Sequence, residues 1–301
     1  MAINITFLGT ASMVPTKKRN VQSIHIEYNG DVTLVDCGEG TQRQMNIAGL
    51  NRLKIKRVLI SHWHGDHVSG LIGLIQTIGG IEKPFTLDIY GPIGTKEKMQ
   101  HLLNSCYFDQ RINIKIHEIA PEKLETFFEN DDFMLQAIKL KHSIPCLGYN
   151  FIEKDKIKID TKKLKAKGLK EGKWLQKIQK GESVKIKNKT IKPSDISFTI
   201  KGKKISIVMD TAFNTNAITL SKNADLLISE SVYAADKQEL ATKYKHMTSK
   251  DAATIAKQAN VKKLILTHFS QRYKTIKPVL DDARAVFKNV VAAQDFMQIK
   301  V

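Results

Sequence analysis

The segment Ser61-His62-Trp63-His64-Gly65-Asp66-His67 sets three imidazoles and a carboxylate within six residues, directly after the apolar run Val58-Leu59-Ile60. Side chains of an extended backbone alternate, so His62 and His64 project to the same side and can grip one cation together. Asp66 and His67 follow where the apolar stretch from Val68 to Gly79 reads as a helix, and those two can face a second cation beside the first. Imidazole nitrogen with carboxylate oxygen suits zinc, and to a lesser degree manganese or iron.

One loop cannot complete a two-metal site, and three further donors stand at the ends of strand-like runs. His142 follows Ala137 to Lys141, Asp210 follows Ile205 to Met209, and His268 follows Leu264 to Thr267. Functional side chains of an α/β sheet gather at the carboxyl ends of its strands. The expected ligand set is therefore His62, His64 and His142 on one ion, Asp66, His67 and His268 on the other, and Asp210 between them. Two divalent ions roughly 3.5–4 Å apart can share a water and lower its pKa toward neutrality. Of the other histidines, His25, His101 and His117 fall inside apparent strands or a helix and read as structural.

The elements that must position these donors alternate along the chain. Ile3 to Leu8, Gln22 to Tyr28, Val32 to Val35, Arg57 to Ile60, Thr86 to Tyr90, Ile205 to Met209, Leu226 to Ser229 and Lys263 to Thr267 read as strands. Lys96 to Cys106, Ser249 to Ala259 and Pro278 to Phe287 read as helices, which makes the chain mixed α/β. Its 301 residues suffice for a large core. Met1 to Gly9 reads as a first strand and not as a secretory signal, and no apolar run is long enough to span a membrane. Cys37, Cys106 and Cys146 are odd in number and widely spaced, so a disulfide framework is not expected and a reducing cytoplasm fits.

The formal net charge is +18, which points to a polyanionic partner. Residues 153–201 hold 16 lysines against 6 acidic residues and so contribute +10 of it. Leu164, Leu169, Trp174 and Leu175 are sparse among those lysines. This stretch is expected to build little core and to project as an inserted arm, with short strands at Ser183 to Ile186 and Asp195 to Ile200. Residues 1–152 and 202–301 form the main domain in this reading.

The His-x-His-x-Asp-His motif with its later His, Asp and His resembles the metallo-β-lactamase superfamily. Within it, three segments resemble the short form of the ribonuclease Z family. They are Gly9-Thr10-Ala11-Ser12 with Pro15-Thr16-Lys17-Lys18-Arg19-Asn20, Asp36-Cys37-Gly38-Glu39-Gly40-Thr41-Gln42, and Leu266-Thr267-His268-Phe269-Ser270-Gln271-Arg272-Tyr273. The resemblance runs from Ile5 to about Met297. It implies a four-layer αββα fold, two zinc ions per subunit (manganese or iron as substitutes), a homodimer, and endonucleolytic removal of the 3′ trailer from precursor tRNA.

The same resemblance assigns roles. Asp66 would orient or deprotonate the attacking water, while Glu230 and His246 would help protonate the leaving oxygen. The segment commonly reading His-Glu-Ala-Thr is here Ser229-Glu230-Ser231-Val232, and the usual His-Ser-Thr is His246-Met247-Thr248. Lys17, Lys18 and Arg19 would contact acceptor-stem phosphates. The basic stretch matches the position of a flexible arm that grips the tRNA elbow from the partner subunit, with Lys163, Lys165, Lys167, Lys170 and Lys173 as phosphate contacts. It has Gly172-Lys173-Trp174-Leu175 where a Gly-Pro pair is usual. Salt-sensitive, sequence-independent phosphate binding suits an enzyme that accepts many tRNAs. The alternatives are a small-molecule phosphodiesterase or lactonase of the same fold, and a non-catalytic RNA-binding relative.

Overall fold

The computed structural model describes residues 2–80, 85–109, 111–186 and 189–301. The chain divides into two compact units. The larger comprises residues 1–128, 135–151 and 204–301, and the smaller comprises 129–134 and 152–203.

In the larger unit a first sheet of seven strands collects β1 (Asn4–Gly9), β2 (Ser23–Tyr28), β3 (Asp31–Val35), β4 (Ile55–Leu59), β5 (Thr86–Pro92), β6 (Asn113–Ile119) and β18 (Gln298–Lys300), in the order β18-β1-β2-β3-β4-β5-β6. β1 to β3 form an antiparallel meander, whereas β3 to β6 run parallel. A parallel strand covered on both faces should be almost wholly apolar. The carboxyl end of β4 meets that requirement in Val58 and Leu59, paired with Leu34 and Val35 on one side and Ile89 and Tyr90 on the other, whereas earlier in the strand Lys56 is exposed and Arg57 pairs with Asp31. Helices Leu71–Gly79 and Thr95–Asn104 share a core with these strands through Leu71, Leu74, Ile75, Ile78 and Met99.

A second seven-stranded sheet collects β7 (Glu125–Glu129), β8 (Phe133–Leu140), β9 (Cys146–Glu153), β14 (Lys204–Val208), β15 (Leu226–Glu230), β16 (Leu264–Thr267) and β17 (Val290–Ala292), in the order β17-β16-β15-β14-β9-β8-β7. β14 to β17 are parallel. Helices Thr215–Ser221, Ser249–Gln258 and Lys277–Val286 supply the other half of that core. Helix Ser249–Gln258 starts where it does because Thr248 and Asp251 form a reciprocal capping box. The sheets face one another: Leu147 N–H donates to the Ser61 carbonyl at 2.9 Å, and Tyr149 Oη to the Ile60 carbonyl at 2.7 Å. This is the expected αββα sandwich, and no helix among the described residues is long and apolar enough to cross a membrane.

The helix expected over residues 68–79 is in fact two, Gly65–Val68 and Leu71–Gly79. The break follows from a close backbone approach. A Cβ on Gly70 would lie 2.1 Å from the Gly38 carbonyl oxygen, and one on Gly38 would lie 2.3 Å from that of Asp66. Bonds from Gly70 N–H to the Cys37 carbonyl (2.9 Å) and from Cys37 N–H to that of His67 (2.7 Å) take the place of helix continuity. Glycines at both positions thus let the turn after β3 dock against the motif loop.

The smaller unit corrects a second expectation. The lysine-rich stretch does build a core, in which Leu164, Ile178, Ile191 and Ile196 are buried against Ile159, Leu169, Trp174, Leu175, Val184 and Ile186. β10 (Lys156–Ile159) pairs antiparallel with β13 (Ser197–Ile200), and β11 (Val184–Ile186) with β12 (Lys189–Ile191). Asp160 caps helix Thr161–Ala166 by accepting from Lys162 and Lys163 N–H. The strand expected over 195–200 begins only at Ser197, because Pro193 opens a one-turn helix, Pro193–Ile196.

Candidate active site

β4 runs out at Leu59, and the chain turns through Ser61 so that His62 and His64 leave the sheet together. His64 is the extended residue before helix Gly65–Val68, whose first turn carries Asp66 and His67. His142 stands two residues beyond β8, Asp210 two beyond β14, and His268 directly beyond β16. All seven converge. His62 Nε2 and His142 Nε2 lie 3.0 and 3.2 Å from His64 Nδ1, and Asp210 Oδ2 lies 3.5 Å from His62 Nε2. On the other side His67 Nε2 is 3.1 Å from His268 Nε2, and Asp66 Oδ2 is 3.3 Å from the same atom. Asp210 Oδ1 is 3.2 Å from His268 Nδ1 and 3.5 Å from His67 Nε2. The two oxygens of one carboxylate therefore face the two groups.

Contacts behind the donors fix their orientation. Asp36 is fully buried, and its Oδ2 accepts from His67 Nδ1 at 2.7 Å, which leaves His67 Nε2 for the centre. Ser61 Oγ donates to Asp36 Oδ2 (2.8 Å) and so accepts from His62 Nδ1 (3.0 Å), turning His62 Nε2 inward. His142 Nδ1 donates to the Lys245 carbonyl at 2.9 Å. The motif-based reading did not single out Asp36, Ser61 or Lys245 as site residues. A signal existed for Asp36 alone: an acidic residue directly after an apolar strand and before a glycine turn.

The electrostatics are those of a site built for cations. Burial and the neighbouring His67 charge hold His62 well below its ordinary value, and burial lowers His64 and His142 as well. Burial also works against charge on His67, but the Asp210 and Asp36 carboxylates outweigh it and push His67 up to about 10. Asp210 and Asp66 lie below the usual carboxylate range despite burial, because histidines surround them. Asp210 Oδ1 and His268 Nδ1 are buried and, although 3.2 Å apart, are not aligned to hydrogen-bond to each other or to another group among the described residues. A buried polar group left in that state costs about 1–3 kcal/mol. Nitrogen and oxygen lone pairs converging at 3.0–3.5 Å without enough protons to bridge them fit a divalent metal.

Beside this cluster, His246 Nδ1 stands 3.2 Å from Glu230 Oε1 and 3.8 Å from Asp210 Oδ2. Glu230 is fully buried, and its Oε1 also accepts from Thr211 N–H at 2.7 Å. Burial lowers His246, yet the two carboxylates prevail and push it up to about 9. Both buried cysteines lie behind the site. Burial pushes Cys37 up to about 12 and raises Cys146, whose thiol donates to the Asp210 carbonyl at 3.2 Å. Neither is poised as a thiolate ligand.

Lys17 and Lys18 are exposed and, with Lys274, Phe269 and Tyr273, line a cleft of about 670 Å³. Arg19 shares that cleft but is already engaged: it donates to Thr10 Oγ1 (2.6 Å) and the Ala293 carbonyl (2.8 Å) and stacks over Phe269, 4.7 Å from the ring centre. In the smaller unit Lys163, Lys165, Lys167, Lys170 and Lys173 are all exposed, and of these only Lys167 forms an ion pair among the described residues, with Asp195 at 3.7 Å.

Residues 17–95 match the metallo-beta-lactamase superfamily. The chain is 39% identical to the ribonuclease Z of Methanothermobacter thermautotrophicus, across 99% of this chain and 97% of that one. It belongs to the ribonuclease Z family. The ribonuclease Z of Streptococcus mutans is 36% identical across 99% of this chain and all of its own length. The crystal structure of human tRNase Z, short form, matches with a TM-score of 0.73 at 28% identity, covering 98% of each chain. For a ribonuclease Z, this chain carries Ser229 ahead of Glu230. Its hydroxyl is buried and donates to the Glu230 carbonyl at 3.1 Å, behind the site.

Proposed function

We propose that this chain removes the 3′ trailer from precursor tRNA by hydrolysing one phosphodiester bond, leaving a 3′-hydroxyl on the tRNA and a 5′-phosphate on the trailer. The observation that carries this reading is a pair of facing His/Asp groups joined by Asp210 in a chain of the ribonuclease Z family. His62, His64, His142 and Asp210 hold one zinc ion, and Asp66, His67, His268 and Asp210 hold a second; manganese or iron suits the same donors. When bound, the ions supply a water acidic enough to ionise near neutral pH and positive charge against the phosphoryl oxygens.

The side chains do the rest. Asp66, held by the Met13 amide at 2.7 Å, orients the water and takes its proton. As the water oxygen bonds to phosphorus and the bond to the 3′ oxygen breaks, His246 gives that oxygen a proton. Glu230 engages His246 Nδ1 and keeps the ring protonated, so that Nε2 is the donor. Lys17 and Lys18 meet acceptor-stem phosphates while Arg19 holds their loop in place. Residues 153–201 act as the basic arm, with Lys163, Lys165, Lys167, Lys170 and Lys173 on phosphates of the tRNA elbow bound by the partner subunit of a homodimer. The three free thiols and the substrate suit the cytoplasm.

The test is cleavage-site mapping on one trailer-bearing precursor tRNA with zinc- or manganese-loaded protein. A single cut just after the discriminator nucleotide is expected. An intact precursor alongside rapid hydrolysis of small esters overturns the reading.

A further inference from the structure

Backbone strain points to a substrate contact that the metal chemistry does not use. Among the described non-glycine residues with positive φ, three are asparagines, which tolerate that region. The others are Met13, Asp36, Lys245, His268 and Phe296. Asp36, Lys245 and His268 each place a donor or acceptor at the site through their unusual backbone. Met13 belongs with them, since its N–H donates to Asp66 Oδ2 at 2.7 Å.

Met13 is also the odd one. Val14 N–H reaches back to the Ser12 carbonyl at 2.7 Å, which makes Met13 (φ 63°) the centre of a three-residue turn in its rare, strained form. Glycine would deliver the same amide to Asp66 without that strain. Instead the position holds a long apolar side chain that is 78% exposed. Ser12 N–H donates to the Phe269 carbonyl at 3.0 Å, and Phe269 N–H to that of Thr10 at 2.9 Å, so the turn is pinned beside His268. Phe213 and Tyr244 are also exposed and lie three and two residues from Asp210 and His246, but among the described residues no contact ties either side chain to the cluster. Strain retained at a functional site signals use of whatever enforces it.

We propose that the Met13 side chain packs on the unpaired nucleobase next to the scissile phosphate, so that it positions substrate while its amide positions Asp66. This rests on the tRNA-processing reading above. Single-stranded RNA ends offer splayed bases, whose faces protein side chains cover. An unbranched thioether is suited to such a face, since it adapts its shape and makes favourable sulfur–aromatic contacts.

The experiment measures kcat/KM for wild type, Met13→Gly and Met13→Leu on a precursor with all bases present, and on precursors abasic at one or the other nucleotide flanking the cut. An abasic site at one of the two positions should lower the wild-type value by about 3–10-fold. Met13→Gly should lower the value on the intact precursor by a similar factor and lose nothing further on that abasic one. Met13→Leu should stay within about 2-fold of wild type. Met13→Gly should also unfold at a higher temperature than wild type, because the turn is relieved. An equal fall on intact and abasic precursors, or no fall on the intact one, overturns the inference while leaving tRNA processing intact. A wild type that cuts no precursor removes the functional reading, and this one with it.

Discussion

The His/Asp cluster and the lysine-rich unit both concentrate charge, and they hold it in opposite ways. Every member of the His/Asp cluster but His64 and Asp66 is buried, and His62, His67 and His142 are each oriented by a second contact from Ser61, Asp36 or the Lys245 carbonyl. Lys163, Lys165, Lys170 and Lys173 are exposed and have no ion-pair partner among the described residues. Low-dielectric surroundings magnify the effect of each displaced atom in the first region, whereas solvent screening averages over position in the second. Loss of one group should therefore be catastrophic in the cluster and incremental among the lysines.

The largest break in that contrast comes from separating metal holding from proton donation. Asp210→Ala removes the carboxylate shared by both groups and should abolish tight metal binding, lowering precursor cleavage on the order of 10³-fold or more. His246→Ala should lower cleavage by about 10²–10⁴-fold while metal content, read by elemental analysis, stays near wild type. An equal loss of metal would place His246 among the ligands instead, which its 3.8 Å separation from Asp210 leaves open to test. The pH profile sharpens this further. His246 is pushed up to about 9, with the Glu230 carboxylate as the main opposing influence to burial, so its protonated form, the proposed donor, is lost as pH rises through that region. Glu230→Gln removes one raising charge, and the alkaline limb of kcat should move to lower pH.

A middle-sized effect tests whether orientation contacts matter as much as ligands. Asp36→Asn keeps the shape but not the charge that fixes His67 in the tautomer with Nε2 free. Metal affinity should fall by about 10–100-fold, with saturating metal restoring most of the activity. Rescue would distinguish it from Asp210→Ala, where a donor itself is gone. Failure of excess metal to restore any activity would show that Asp36 carries more than orientation.

How much of this was legible beforehand follows the same division. The ligand candidates could be read because histidines two residues apart on a loop, and polar residues at the ends of apolar strands, are local patterns. The acidic residue after an apolar strand marks Asp36 but not its partner, because its contact with His67 spans 31 positions, and Ser61, although it adjoins His62, is itself fixed by Asp36 across 25. The break at Gly70 escaped for a similar reason, since its cause is the Gly38 carbonyl on another segment. In the lysine-rich stretch the apolar residues looked too sparse for a core. Leu164, Ile178, Ile191 and Ile196 are far apart in sequence and meet only after the β10–β13 and β11–β12 pairs and the three short helices Thr161–Ala166, Leu175–Gln179 and Pro193–Ile196 form.

The smallest effect is the most telling for the lysines. Each lysine that neutralises a phosphate contributes about one unit to the slope of log affinity against log salt. Lys170→Gln should therefore weaken precursor tRNA binding only a few-fold at moderate salt and flatten that slope by roughly one. Lys163→Gln should do the same, and the two losses should add, because exposed charges that share no partner are nearly independent. Lys167→Gln should do less than either, since Asp195 at 3.7 Å already offsets part of its charge. Turnover of a small diester such as bis(p-nitrophenyl) phosphate, which offers the lysines no run of tRNA phosphates, should not fall in step with tRNA binding in any of the three. If one of these lysines alone cost as much as Asp210, charge in this unit would be held by geometry after all, and the contrast with the cluster would collapse.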